Sequence, residues 1–187
     1  MEQVTLERIL EYKGMIFDLD GTLTPPIDFI HNFKTINQTM VLLMGKLPYK
    51  PGAADFLKLL RKHKKPIALA SNTNGFIISL FRNNKAMKKV LPIDKAFDVI
   101  ITKNMVKRGK PRPDLFLRAL KELGLDAKDC LAFEDSLRGV KSARAAGLDV
   151  CIIDGTHIPK KERAKVDALG TYKIKRYSEI LPPKPNT

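Results

Sequence analysis

Residues 14–24 read GMIFDLDGTLT: an apolar run passes straight into two carboxylates, Asp18 and Asp20, and then turns on Gly21. Residues 15–19 have the character of a short buried strand. A structural carboxylate rarely needs a second one two residues on, so the pair asks what else lies near the end of that strand. Gly14 also stops an apolar periodicity at Val4, Leu6, Ile9 and Leu10, which predicts a helix over 2–12.

Outward from this stretch the chain alternates. Further strands are predicted over 66–70 (PIALA), 96–102 (AFDVIIT), 129–134 (DCLAFE) and 148–154 (LDVCIID), with an edge strand over 172–175. Between them fall helical patterns at 53–63, 76–89, 113–123 and 157–168, and another closed by Gly147. Pro113 suits the first turn of its helix and Gly124 suits its end. Hairpin turn signals are lacking between the strands. The pattern predicts an α/β fold: a parallel sheet covered by helices on both faces, as one domain over 1–187. One excursion stands out. Residues 25–50 are bounded by Pro25-Pro26 at one end and by Pro48, Pro51 and Gly52 at the other. Within it Phe29, Phe33, Ile36, Met40 and Leu43 recur at helical spacing, which predicts a helix over 28–44.

A chain of 187 residues can bury roughly 70% of its unfolded surface, so it needs neither disulfide nor structural metal to fold. Cys130 and Cys151 lie in apolar contexts and read as buried free thiols. No apolar run approaches about 18 residues and no leader-like start is seen, so the expectation is a soluble cytoplasmic protein without a membrane partner. There are 34 basic residues against 20 acidic ones, net +14, which attracts anions. The lysines are scattered, without aromatic–basic interleaving or zinc-finger spacing, so nucleic acid is the weaker reading against a phosphorylated substrate.

In open α/β sheets ligands bind at the carboxyl ends of the strands. The first strand delivers Asp18, Asp20 and Thr22 there, and the second Ser71, Asn72 and Thr73. The third is followed by KRGKPRPDLF with Lys110, and the fourth delivers Glu134 and Asp135. Any one of these ends reads as a capped helix or a satisfied turn; four at one edge read as a site. Four crowded carboxylates cannot all ionise unaided. A hard divalent cation resolves that, and oxygen-only ligands without histidine or cysteine suit Mg²⁺. A serine and a lysine beside it suit a phosphoryl group. One carboxylate can attack phosphorus, and a second can handle the proton.

FDLDGTLT, SNT, GKPRPDLF and FEDSLRGVKSARAAG resemble, in order, the four motifs of the haloacid dehalogenase-like superfamily, over residues 14 to about 155. The last two are most similar to its phosphoglycolate phosphatase and β-phosphoglucomutase branch. The resemblance implies a three-layer Rossmann-like fold and a Mg²⁺-dependent phosphoric monoester hydrolase. Asp18 would be the nucleophile that becomes an aspartyl-phosphate, and Asp20 the general acid and base. Asp18, the backbone carbonyl of Asp20, and Asp135 would hold Mg²⁺, with Glu134 as ligand or next to one. Ser71 and Lys110 would bind the phosphoryl group, with Asn72 beside it. Dehalogenases of the superfamily lack an acid at the position of Asp20 and transport ATPases carry Thr there, so Asp20 points to ester hydrolysis.

Relatives in that branch carry a longer helical cap between the first two motifs, so residues 25–50 read as a much reduced cap. A small phosphorylated metabolite is the expected substrate. The alternatives are a bulky or polymeric phosphorylated substrate admitted by an open site, a phosphomutase, and a non-enzymatic binding module; no acid whose loss would mark the last is missing. The apolar face of Phe29, Phe33, Ile36 and Met40 reads first as packing on its own domain; the alternative is an exposed dimer surface, a homo-oligomer in which a neighbouring subunit would supply the missing lid. Among the basic residues near the presumed mouth (His31, Lys34, Lys107, Arg108, Arg112 and Arg138), Arg112 is singled out as the substrate contact.

Overall fold

A computed structural model describes residues 4–26, 48–154 and 158–183. The helix expected over 28–44, with Phe29, His31, Phe33, Lys34, Ile36 and Met40, falls outside the described residues. Six parallel strands are β1 (Gly14–Phe17), β2 (Ile67–Ser71), β3 (Val99–Thr102), β4 (Cys130–Glu134), β5 (Asp149–Ile153) and β6 (Tyr172–Ile174), in the order β3-β2-β1-β4-β5-β6. The helices are α1 (Leu6–Glu11), α2 (Ala53–Lys62), α3 (Gly75–Arg82), α4 (Lys85–Val90), α5 (Ile93–Ala96), α6 (Asp114–Leu123), α7 (Leu137–Ala145) and α8 (Lys160–Leu169).

The strands alternate side chains between two buried faces. Met15, Phe17, Ile67, Leu69, Leu131 and Phe133 pack with α1, α2 and α3 on one face. Ile16, Ala68, Ala70, Ala132, Val150 and Ile152 pack with α6, α7 and α8 on the other. The expected three-layer sandwich follows, because both residue parities of the central strands are apolar. The alanines on the second face leave room for α6, whose Leu115 and Phe116 are fully buried; burial contributes roughly 1.5–3 kcal/mol for each such side chain. Both cysteines are buried and free, as expected. Among the described residues, no helix is long and apolar enough to cross a membrane.

Local readings differ in places. The helix expected over 76–89 is two helices, because the buried Asn84 leaves the first and caps α4, its Oδ1 accepting the Met87 N–H at 3.0 Å. The strand expected from 96 begins at Val99. Residues 93–96 form a helical turn, and Asp98 uses its carboxylate to accept the Ile67 N–H at 2.8 Å. Pro113 sits just before α6 rather than within it, and α8 starts at Lys160 after Pro159.

The strand order reverses between β1 and β4, which makes the crevice above their carboxyl ends the expected ligand position.

Candidate active site

The crevice is set by the pairing of β1 with β4. Phe17 and Phe133 lie in register, their rings stacked at 4.5 Å with Phe56 edge-on to both. The Asp18 N–H extends the ladder to the Phe133 carbonyl at 3.0 Å. The next residues, Asp18 and Glu134, therefore lie side by side at the ends of their strands.

After Asp18 the chain turns tightly. The N–H groups of Leu23 and Thr24 donate to the Leu19 carbonyl at 2.9 and 3.0 Å, and the Thr24 hydroxyl joins them at 3.1 Å. Gly21 holds φ 80°, a left-handed conformation that strains any side chain. This turn brings Asp20 to the same cleft as Asp18.

From β2 comes Ser71, buried, with its oxygen accepting the Thr73 N–H at 3.1 Å. Lys110 arrives on the loop after β3 and is held by its backbone. Asn72 Oδ1 accepts the Lys110 N–H at 2.8 Å, and Asn72 Nδ2 and the Arg138 guanidinium donate to the Lys110 carbonyl at 3.4 and 2.8 Å. The Lys110 ammonium reaches Asp18 at 2.6 Å and Glu134 at 2.5 Å, 4.9 Å from the Phe116 ring centre. The second oxygen of Glu134 accepts the Asp135 N–H at 3.2 Å and the Ser136 hydroxyl at 3.4 Å. That carboxylate lies so close to α7 that a Cβ on Gly139 would sit 1.8 Å from it. Asp135 accepts the Thr22 hydroxyl at 3.2 Å.

Asp18, Asp20, Ser71, Asn72, Lys110 and Asp135 thus share one cleft of about 260 Å³, with Pro26, Thr73, Ser136 and Arg138 completing its described lining. Arg112 is not part of that lining. The tight turn that its N–H closes on the Gly109 carbonyl at 3.0 Å leaves it exposed, and Arg138 occupies the rim instead. Asn72 lines the cleft, yet its amide is engaged with Lys110. Lys107 and Arg108 are exposed, the latter paired with Asp114.

The electrostatics are lopsided. Burial raises the Asp18 carboxyl, against the pull of Lys110, and Asp135 raises it further. Burial likewise pushes Glu134 up to about 8, with Lys110 opposing and the two aspartates reinforcing. Burial alone would lower Lys110, but Asp18 and Glu134 outweigh it and raise it. Asp18, Glu134 and Asp135 each offer an oxygen within 4.8 Å of the others, all buried. Three buried acids converge there, and their donors are oxygens only. That set fits a hard divalent cation such as Mg²⁺.

Residues 29–147 match the haloacid dehalogenase-like hydrolase family. Among curated relatives, the chain is 34% identical over 145 residues to the bifunctional riboflavin kinase/FMN phosphatase of Arabidopsis thaliana, covering 75% of this chain and 36% of that protein. It is 31% identical over 147 residues to Protein CbbY of Cereibacter sphaeroides, covering 77% and 61%. The chain thus spans less than two thirds of the length of these relatives. Its fold matches a crystal structure of a CbbY variant from Rhodobacter sphaeroides in complex with xylulose-(1,5)bisphosphate. The TM-score is 0.70 at 23% identity, covering 90% of this chain and 96% of that one.

Proposed function

The chain belongs to the haloacid dehalogenase-like hydrolase family, and from that premise we propose that it is a Mg²⁺-dependent phosphatase. It cleaves the phosphomonoester of a small metabolite through an aspartyl-phosphate on Asp18. The observation that carries this reading is the gathering of three acids, a serine and a buried lysine around one cleft. The relatives named for FMN phosphatase activity and crystallised with a sugar bisphosphate support the substrate class.

In this mechanism an oxygen of Asp18 attacks phosphorus while the ester P–O bond breaks. Asp20, protonated, gives its proton to the departing oxygen. Asp20, now a carboxylate, takes a proton from water as that water attacks phosphorus. The Asp18–phosphorus bond then breaks, inorganic phosphate leaves, and Asp18 and protonated Asp20 are restored. Ser71 accepts from Thr73, which leaves its hydroxyl hydrogen for a phosphoryl oxygen. Lys110 holds Asp18 in place and offsets negative charge on the phosphoryl group. Glu134, pinned by Lys110, Asp135 and Ser136, keeps that ammonium oriented. Asp18, the Asp20 carbonyl, Asp135 and Glu134 would hold Mg²⁺, which when bound supplies positive charge to the phosphoryl oxygens. The cleft suits a small ester, and Arg138 on its rim, one N–H of which donates to the Lys110 carbonyl, brings a cation toward the rest of the substrate.

The test is phosphate release from p-nitrophenyl phosphate by wild type and Asp18→Asn, each with Mg²⁺ and with EDTA. Turnover by wild type only with Mg²⁺, and loss beyond about 10⁴-fold in the variant, is the expected result. Equal rates for the two proteins would refute the proposal.

A further inference from the structure

The turn that carries Asp20 is fastened from outside itself. Its own hydrogen bonds converge on the Leu19 carbonyl. The carbonyls of Gly21, Thr22 and Leu23, directly after Asp20, are each taken by a donor from elsewhere in the chain. The Lys50 ammonium donates to Gly21, the Tyr177 hydroxyl donates to Thr22 at 3.3 Å, and the Lys50 N–H donates to Leu23 at 2.7 Å. Two of the three bonds come from one residue, and one of those is charge-assisted, the stronger kind. Lys50 is half-buried and is not among the residues lining the cleft. Its charge nevertheless acts on the carboxylates of Asp135, Asp20 and Asp18.

We propose that Lys50 is a positioning residue for Asp20: by clamping the Gly21 and Leu23 carbonyls, it fixes the turn so that the Asp20 carboxyl meets the departing oxygen. The role rests on the proposed phosphatase chemistry and makes Lys50 specific to proton transfer. A residue that merely held the fold would affect every substrate alike. A residue that aims the general acid matters most for esters whose departing oxygen needs a proton, and least for those that leave readily as anions.

The experiment compares wild type, Lys50→Met and Lys50→Arg in kcat/KM for phenyl phosphate, a poor leaving group, and p-nitrophenyl phosphate, a good one. Hydrogen exchange of the peptide covering residues 18–24 is followed alongside. Lys50→Met should lose about 10–100-fold more on phenyl phosphate than on p-nitrophenyl phosphate. The Leu23 and Thr24 amides should exchange faster while peptides from β4 keep their protection. Lys50→Arg, which keeps a cationic donor, should restore most of the difference. Equal losses on the two esters, or unchanged exchange in the turn, would overturn the role of Lys50. A wild type that cleaves neither ester would overturn the phosphatase reading on which it rests, an outcome distinct from equal losses.

Discussion

At the carboxyl ends of the strands Asp18, Lys110, Glu134 and Asp135 are all buried, with Lys110 paired to both Asp18 and Glu134 and Asp135 close to those two acids. At the amino ends of the same strands the ion pairs Lys13–Asp129, Arg61–Asp98 and Arg144–Asp149 stand in or beside solvent, one cation to one acid. Both edges pair basic side chains with carboxylates, at 2.5–2.6 Å in the buried cluster and 2.6–3.2 Å in the exposed pairs. The difference is that water screens the lower pairs and lets each form or break cheaply, whereas the upper cluster is withdrawn from water, where each charge is costly to bury. Burying such a cluster costs stability, and in this fold it sits where the strand order reverses. That is where the proposed cation and phosphoryl group would bind.

The contrast breaks most visibly at Lys110. Lys110→Met keeps the stem but leaves Asp18 and Glu134 buried without their cation. Activity on p-nitrophenyl phosphate should fall at least about 10²-fold. Denaturant unfolding should show a loss of about 3–5 kcal/mol, the penalty for breaking a buried pair. A variant as stable and active as wild type would mean that the cluster is balanced some other way.

Metal addition should come next in size. Mg²⁺ at a hundredfold excess over its Kd should raise the Tm of wild type by about 5–10 °C. The same addition to Asp135→Asn should raise it far less, because one of the three convergent acids is gone. Identical shifts in the two proteins would place the binding elsewhere.

The smallest effect is expected at the opposite edge. Arg61 and Asp98 are 40% and 39% exposed, so Arg61→Ala should change stability by about 0–1 kcal/mol and leave turnover unaltered. A loss as large as that of Lys110→Met would erase the distinction between the two edges.

Much of this architecture is legible in the sequence. The apolar strands, the glycine at position 21 and the acids after β1 and β4 are local signals, and they predict the parallel sheet and the edge where the polar residues gather. What is not legible depends on burial and on contacts, near or far in the chain, that the local pattern does not specify. Asn84 looks like part of a continuous helix until its side chain is seen to cap α4 from a buried position. Arg112 lies inside a motif, yet the turn at Gly109 faces it outward, and Arg138, on the first turn of α7, takes the rim. Lys50 and Tyr177 carry no motif; they meet the Asp20 turn from 29 and 155 residues away from their acceptors. Pro51 and Gly52 mark the end of an excursion in the sequence, but nothing local says that the lysine before them returns to the turn.

The most direct measurement is the mass of the peptide carrying Asp18 after Asp20→Asn is mixed with p-nitrophenyl phosphate and Mg²⁺ and quenched in acid. That ester leaves without needing a proton, whereas hydrolysis of the covalent intermediate needs the base that the variant lacks. The account predicts a gain of one phosphoryl group, located on Asp18. A protein that turns over p-nitrophenyl phosphate yet shows no phosphoryl gain, or carries it on another residue, would contradict it.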